Sequence, residues 1–287
     1  MTEDQALGAI IGCAVGDALG TTLEFSYSIE QDSSKWHRDI IGGGPFRMPP
    51  GGWTDDTSMM LALMDGYLAN GRLIPKVVAK NFFDWFEHGA FSHTGSRFDI
   101  GNTTRKALER FAIDGNPIAG SDDPNASGNG GIMRLAPAVI ANHRDLDSAI
   151  ADARLQSSIT HASTKCLDIA QKMAQVIFDG SLGRLPDSDL HALSQLTWND
   201  LTAEGDVGST WTCATWCVSN TQSFEDALVL AVNRRNDADT VGAVTGQIAG
   251  SKYGISGIPQ RWLKPLLWKD LIVNKAQELY SLGNLSS

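Results

Sequence analysis

Cysteine is scarce: four residues in 287, at Cys13, Cys166, Cys213 and Cys217, with no C-x-x-C pair among them. That spacing argues against a disulfide framework or a thiolate zinc site. Cys213 and Cys217 fall on one face of a predicted helix and read as packed core thiols. Positive charge is also in deficit, with 23 basic against 33 acidic residues and a formal net charge of −10. No run of Lys and Arg interleaves with aromatics, which excludes an extended nucleic-acid surface. The apolar stretch that starts at Ala6 is interrupted by Asp17, too early for a membrane span. The opening Met1-Thr2-Glu3-Asp4-Gln5 is acidic where a signal peptide is basic. The expectation is a protein of a reducing, cytoplasmic compartment with no membrane anchor.

Strand-type alternation is almost absent, and helical periodicity fills the chain. Helices are predicted over 4–24, 56–70, 75–88, 102–113, 130–142, 146–157, 163–179, 187–196, 208–219, 223–233, 239–252 and 269–282. Segments 30–53 and 114–129 read as loops. Glycine is abundant, 29 residues, many inside helical patterns. Each costs up to about 1 kcal/mol relative to Ala, so close helix packing or approach to a ligand should offset it. No repeat or low-complexity linker divides the chain, and one compact all-α domain over 1–287 is expected.

Two acidic clusters stand out, Thr54-Asp55-Asp56-Thr57 and Asp237-Ala238-Asp239-Thr240, about 180 residues apart. Each precedes an apolar helical pattern, so helix capping is the plain reading of either one. Adjacent or near-adjacent carboxylates converge only at a loop or helix entrance. Together the clusters offer four carboxylates and several hydroxyls without His or Cys. That donor set suits Mg²⁺ or Mn²⁺ over zinc, and four carboxylates are better used by two ions than by one.

Other residues are candidates for the same site. Asp17 and Glu24, seven apart, would share one face of the first helix, with Glu24 at its end free to reach a ligand, although a surface Glu is the plainer reading. In Ser127-Gly128-Asn129-Gly130-Gly131-Ile132-Met133-Arg134, glycines precede a predicted helix, where bare N–H groups and the helix dipole would cradle phosphate. A flexible turn is an equal reading. Asp99 and Asn102 flank another helix start, and His161 follows Ser158-Ile159-Thr160; each reads equally as a structural residue.

These pieces, in order from residue 6 to about 264, resemble the ADP-ribosylglycohydrolase family, most closely the bacterial dinitrogenase reductase-activating glycohydrolases. They are Gly16-Asp17-Ala18-Leu19-Gly20 with Glu24, Asp39-Ile40-Ile41-Gly42-Gly43-Gly44, Trp53-Thr54-Asp55-Asp56-Thr57 and Asp99-Ile100-Gly101-Asn102-Thr103. The series continues through Gly128-Asn129-Gly130-Gly131-Ile132-Met133-Arg134, Ile159-Thr160-His161 and Asp237-Ala238-Asp239-Thr240. Gly250-Ser251-Lys252-Tyr253-Gly254 and Pro259-Gln260-Arg261-Trp262-Leu263 extend it.

The resemblance implies an orthogonal all-α domain with two Mg²⁺ or Mn²⁺ ions. Thr54, Asp55, Asp56, Asp237, Asp239 and Thr240 would be the ligands. Gly128, Asn129, Gly130, Gly131, Met133, Asn102 and His161 would surround ADP-ribose. Asp99 and Glu24 would line the reacting end, and Asp55, Asp56 or Asp99 would orient or deprotonate water. The implied substrate is a mono-ADP-ribosylated protein, modified on arginine, with ADP-ribose as product; a regulatory protein partner is left open. The alternatives are serine-linked or free ADP-ribose derivatives, or a non-catalytic ADP-ribose-binding regulator. Two departures are visible: Arg235-Asn236 stands where the family usually has Gly-Gly, and Gly205-Asp206-Val207 lacks an aromatic that close relatives carry.

Overall fold

The computed structural model describes residues 1–285. Among these residues thirteen α-helices run α1 Glu3–Gly20, α2 Asp55–Asn70, α3 Pro75–His88, α4 Asn102–Asp114, α5 Ala136–Ile140, α6 Leu146–Ser158 and α7 Thr164–Asp179. They continue with α8 Asp187–Ser194, α9 Val207–Ser219, α10 Phe224–Val232, α11 Ala238–Tyr253, α12 Gln260–Leu263 and α13 Lys269–Leu285. Among the described residues extended pairing is limited to isolated bridges, such as Glu24 with Asn236. The fold is all-α, as the periodicity predicts.

Two helices form the axis of the core. α1 is buried from Ala6 to Gly20 and α11 from Ala238 to Ser251. They pack antiparallel with glycines every fourth residue in register: Gly12 lies on Gly246, and Gly16 on Gly242. At both pairs a Cβ would overlap the partner's carbonyl oxygen, so only glycine allows this approach. This packing offsets the helix-interior cost noted in the sequence. It also makes α1 apolar all round. The stretch Glu3–Leu23 is long and apolar enough to cross a membrane by composition, but 94% of its most apolar 18-residue window is buried inside the protein. Its surroundings are other helices.

Two local expectations are corrected. Helix α1 stops at Gly20, where the Thr21 hydroxyl donates to the Asp17 carbonyl at 2.7 Å, and a 3₁₀ turn Thr21–Leu23 follows. Glu24 is therefore extended and does not share a helix face with Asp17. The predicted helix over 130–142 is a series of turns with only α5 helical. The Gln247 side chain on α11 donates to the carbonyls of Ile132 (3.2 Å) and Met133 (2.6 Å) and accepts from the Ala136 N–H (2.8 Å). Tertiary bonds there replace the intrahelical ladder.

Candidate active site

The C-terminal end of α1 meets the N-terminal ends of α2 and α11. Thr54 and Asp237 are the N-cap residues of those two helices, yet neither side chain makes a capping bond. Carboxylates from the first segment do so instead. Asp17 accepts the Thr54 N–H (2.9 Å), the Thr57 N–H (3.0 Å) and both threonine hydroxyls (3.0 and 2.6 Å). Glu24 accepts the N–H groups of Ala238 (2.7 Å) and Asp239 (3.3 Å). Asp17 and Glu24 thus take most of the N–H groups at the two entrances, and Asp239 takes only that of Thr240, through Oδ1 at 2.7 Å.

The two clusters are brought together as the sequence suggested. The hydroxyls of Thr54 and Thr240 each donate to Asp56 Oδ2 at 3.3 Å. Ligand oxygens of Asp17, Asp56 and Asp239 lie within 4.8 Å of one another, and so do those of Glu24, Asp99 and Asp239. Asp56 Oδ1 and Asp239 Oδ2 are buried acceptors without a donor among the described residues. Burial, followed by mutual repulsion, raises these carboxyls: Asp17 and Asp237 to about 7, Asp99 to about 8, and Asp55, Asp56 and Asp239 well above their usual range. A protein-only environment leaves so much like charge uncompensated. Orphaned oxygens in an all-oxygen set fit a hard divalent cation.

A cavity of about 350 Å³ opens beside this centre. Of the predicted site residues, Glu24, Asp55, Asp99, Asp237 and Thr240 line its acidic end, and Asn102, Gly128, Asn129, Gly130, Met133 and His161 line the rest. Thr54, Asp56 and Asp239 lie deeper in the acidic centre. Gly131 does not reach the cavity wall and packs against Ser157. Asp99 is held at φ +59°, a left-handed conformation uncommon outside glycine. The Asn129 amide donates to Asp237 Oδ2 (2.5 Å) and Thr210 Oγ1 (2.9 Å), so that side chain holds an acidic residue in place. The glycine run is not at a helix start: α5 begins at Ala136 and has five residues. What remains of the cradle is backbone. No acceptor among the described residues takes the N–H of Gly130 or Gly131.

The comparisons agree with this geometry. The sequence profile of ADP-ribosylglycohydrolases matches residues 1–286. The chain belongs to the ADP-ribosylglycohydrolase family. It is 39% identical to the ADP-ribosylarginine hydrolase Tri1 of Serratia proteamaculans (strain 568), over 98% of this chain and 80% of that one. It is 32% identical to the ADP-ribosyl-[dinitrogen reductase] glycohydrolase of Rhodospirillum rubrum, over 92% and 90%. A solved structure titled ADP-ribosylglycohydrolase-related protein complex superposes with a TM-score of 0.83 at 34% identity, covering 98% of both chains.

Against the family pattern, both residues of Arg235-Asn236 adopt φ +61°. The backbone keeps the left-handed turn that Gly-Gly would give. Asn236 donates to Ser26 O (2.8 Å) and accepts from the Phe25 N–H (2.7 Å), tying the Glu24 segment to the entrance of α11. At Gly205-Asp206-Val207, Asp206 caps α9 and pairs with Lys165 at 2.8 Å, while Trp211 is buried away from the cavity. Sequence reasoning missed several lining residues, among them Phe25, Tyr27, Thr103, Glu204 and Asn236. Phe25 and Tyr27 carry no sequence signal beyond nearness to Glu24, and Glu204 none beyond adjacency to Gly205. Thr103 and Asn236 lie beside Asn102 and Asp237 in segments the family pattern already marks.

Proposed function

We propose that this protein hydrolyses the N-glycosidic bond between ADP-ribose and an arginine guanidinium on a modified protein. The observation that carries this reading is the cavity, which joins a buried carboxylate centre at one end to a glycine-lined wall with His161 at the other. Near-full-length identity of 38–39% to two proteins named ADP-ribosylarginine hydrolase supports the arginine acceptor.

Thr54, Asp55, Asp56, Asp237, Asp239 and Thr240 would hold two Mg²⁺ or Mn²⁺ ions. When bound, such ions supply positive charge at the reacting ribose and make water acidic enough to react near neutral pH. The protein's own residues do the rest. The Gly130 N–H and His161 hold the diphosphate, so that the reacting ribose lies over the acidic end. The carboxylates around the anomeric carbon stabilise the positive charge that develops as the bond to nitrogen breaks. Asp55, Asp56 or Asp99 would orient the attacking water and take its proton. Water oxygen bonds to the anomeric carbon, and the guanidine leaves with its electron pair and a proton.

Asp55→Asn and Asp239→Asn should each abolish release of ADP-ribose from an arginine-modified protein, and chelation of the unaltered enzyme should do the same. Release that persists in the chelated Asp239→Asn variant would sink the reading. Parallel assays on serine-modified protein test the acceptor, with turnover expected on arginine.

A further inference from the structure

Arg134 follows the glycine run and is fully buried. Its guanidinium lies over the Phe82 ring, 4.4 Å from the centroid, and no ion pair to it occurs among the described residues. Burying that charge without a counter-ion is unfavourable unless its hydrogen bonds are well made. Nε donates to Gln156 Oε1 (3.2 Å), and Nη2 to Gln156 O (3.3 Å) and to Thr160 Oγ1 (2.6 Å). The Gln156 amide in turn donates to the Gly131 carbonyl at 2.6 Å. Thr160 Oγ1 lies 2.8 Å from His161 Nδ1.

The proton count decides what this chain of contacts does. An Arg guanidinium only donates, so Thr160 Oγ1 accepts from it. The hydroxyl proton then needs an acceptor, and Thr160 is fully buried with His161 Nδ1 as its one other hydrogen-bond neighbour among the described residues. A proton on Nδ1 would leave the hydroxyl proton without any acceptor, at a desolvation cost. Nδ1 is therefore the acceptor and the imidazole proton sits on Nε2.

We propose that Arg134 is a positioning residue: through Thr160 it fixes His161 as the neutral tautomer whose Nε2–H is offered to the ligand cavity between Gly128 and Gly130. Three observations agree. Nε2 has no hydrogen-bond partner among the described residues, and His161 lines the cavity. A Cβ on Gly128 would stand 3.1 Å from Nε2, and one on Gly130 2.6 Å from Cε1, so both glycines keep that edge of the ring uncovered. Burial, and then the Arg134 charge, hold the imidazole pKa down to about 3, which keeps the ring neutral. The Nε2–H is then a permanent donor for a phosphate or ribose oxygen. That last step rests on the ADP-ribose reading above, while the tautomer does not.

The test is the ¹⁵N spectrum of histidine-labelled, ligand-free protein, with the signal assigned by His161→Gln among the six histidines. We expect a pyrrole-type Nε2 and a pyridine-type Nδ1 at neutral pH. Thr160→Val removes the hydroxyl with little change of shape and should mix the tautomers. It should also weaken ADP-ribose binding and raise KM about tenfold, with kcat nearly unchanged, and Thr160→Ser should restore both readouts. An Nδ1–H ring or an imidazolium in the unaltered protein overturns the proposal, as does an unmixed Nε2–H ring in Thr160→Val. If the chain proves inactive on ADP-ribosylarginine but shows the expected spectra, the functional reading fails and the positioning role stands.

Discussion

Asp17 and Thr57 meet across two helices: one carboxylate oxygen of Asp17 accepts both the backbone N–H (3.0 Å) and the hydroxyl (2.6 Å) of Thr57. This contact, with the matching one to Thr54, places the first turn of α2 against α1 and turns Asp55 and Asp56 toward α11. Asp17→Asn replaces one accepting oxygen with an N–H₂ group that faces donors. At least one buried N–H or hydroxyl of α2 then loses its partner. The expected loss of stability is roughly 1–3 kcal/mol, read by denaturant unfolding, together with weaker divalent-cation affinity by calorimetry. Unchanged cation affinity would show that Asp17 only supports the fold.

The position of α11 against α1, and so against the α2 entrance that Asp17 holds, is set at the glycine seam. At Gly16 a Cβ would overlap the Gly242 backbone, three residues from Asp239. Backbone cannot move aside as a flexible side chain can, so Gly16→Ala must push α1 from α11. Overpacking of this kind should cost about 2 kcal/mol or more. Because Asp17 sits on α1 and Asp239 on α11, with Asp56 between them, cation affinity should fall in the protein that remains folded. Thermal unfolding with and without added Mn²⁺ checks both statements. A variant with unaltered melting and unaltered Mn²⁺ response would remove the glycine register from the account.

Local chemistry was legible in the chain and long-range chemistry was not. The boundaries of α2, α3 and α7 follow the apolar period and its stops: Ser163 caps α7, Pro75 opens α3, and Gly71, Gly89 and Gly180 close α2, α3 and α7. The two carboxylate clusters were visible because their composition is unusual at any helix entrance. Glu24 was misplaced because its partners, Ala238 and Asp239, lie 214 and 215 residues away. The missing helix after Gly131 has a similar origin, since Gln247 takes its carbonyls from the other side of the core. Asn129 carries no sign in the sequence that its amide is held by Asp237. No periodicity reports a hydrogen bond between distant segments.

The Arg235-Asn236 turn is a place where the sequence works against its own backbone. Both residues sit at φ +61°, and Arg235 Nε is buried without a partner among the described residues. A left-handed residue with a Cβ costs about 1–2 kcal/mol, and glycine in its place returns roughly 0.5–1 kcal/mol to the unfolded chain. Arg235→Gly also gives up a 3.3 Å bond to Ser26 Oγ. The net expectation is a gain of up to about 1 kcal/mol in unfolding free energy, with hydrolysis unchanged because Arg235 does not line the cavity. Chemical denaturation and an ADP-ribose release assay measure the two halves. A less stable variant would mean that the arginine contacts outweigh the strain.

Stability should also depend on pH in a direction opposite to that of most acidic proteins. Burial, then the neighbouring charges, raise Asp17 and Asp237 to about 7 and Asp99 to about 8, against an ordinary value of 3.8. Without cations, the folded protein then holds more protons than the unfolded chain throughout the interval between those values. Stability therefore falls as pH rises, since the slope follows the protons bound in the unfolded state minus those bound in the folded state. The chelated protein should melt at a lower temperature at about pH 8 than at about pH 5.5. Divalent cations replace those protons with fixed positive charge, so the rise in melting temperature on adding Mg²⁺ or Mn²⁺ should be larger at the higher pH. Scanning fluorimetry across that interval, with chelator and with metal, gives both slopes. A chelated protein whose melting temperature rises with pH would mean that the cluster is already compensated from within the protein, and the case for a cation between Asp56 and Asp239 would fall with it.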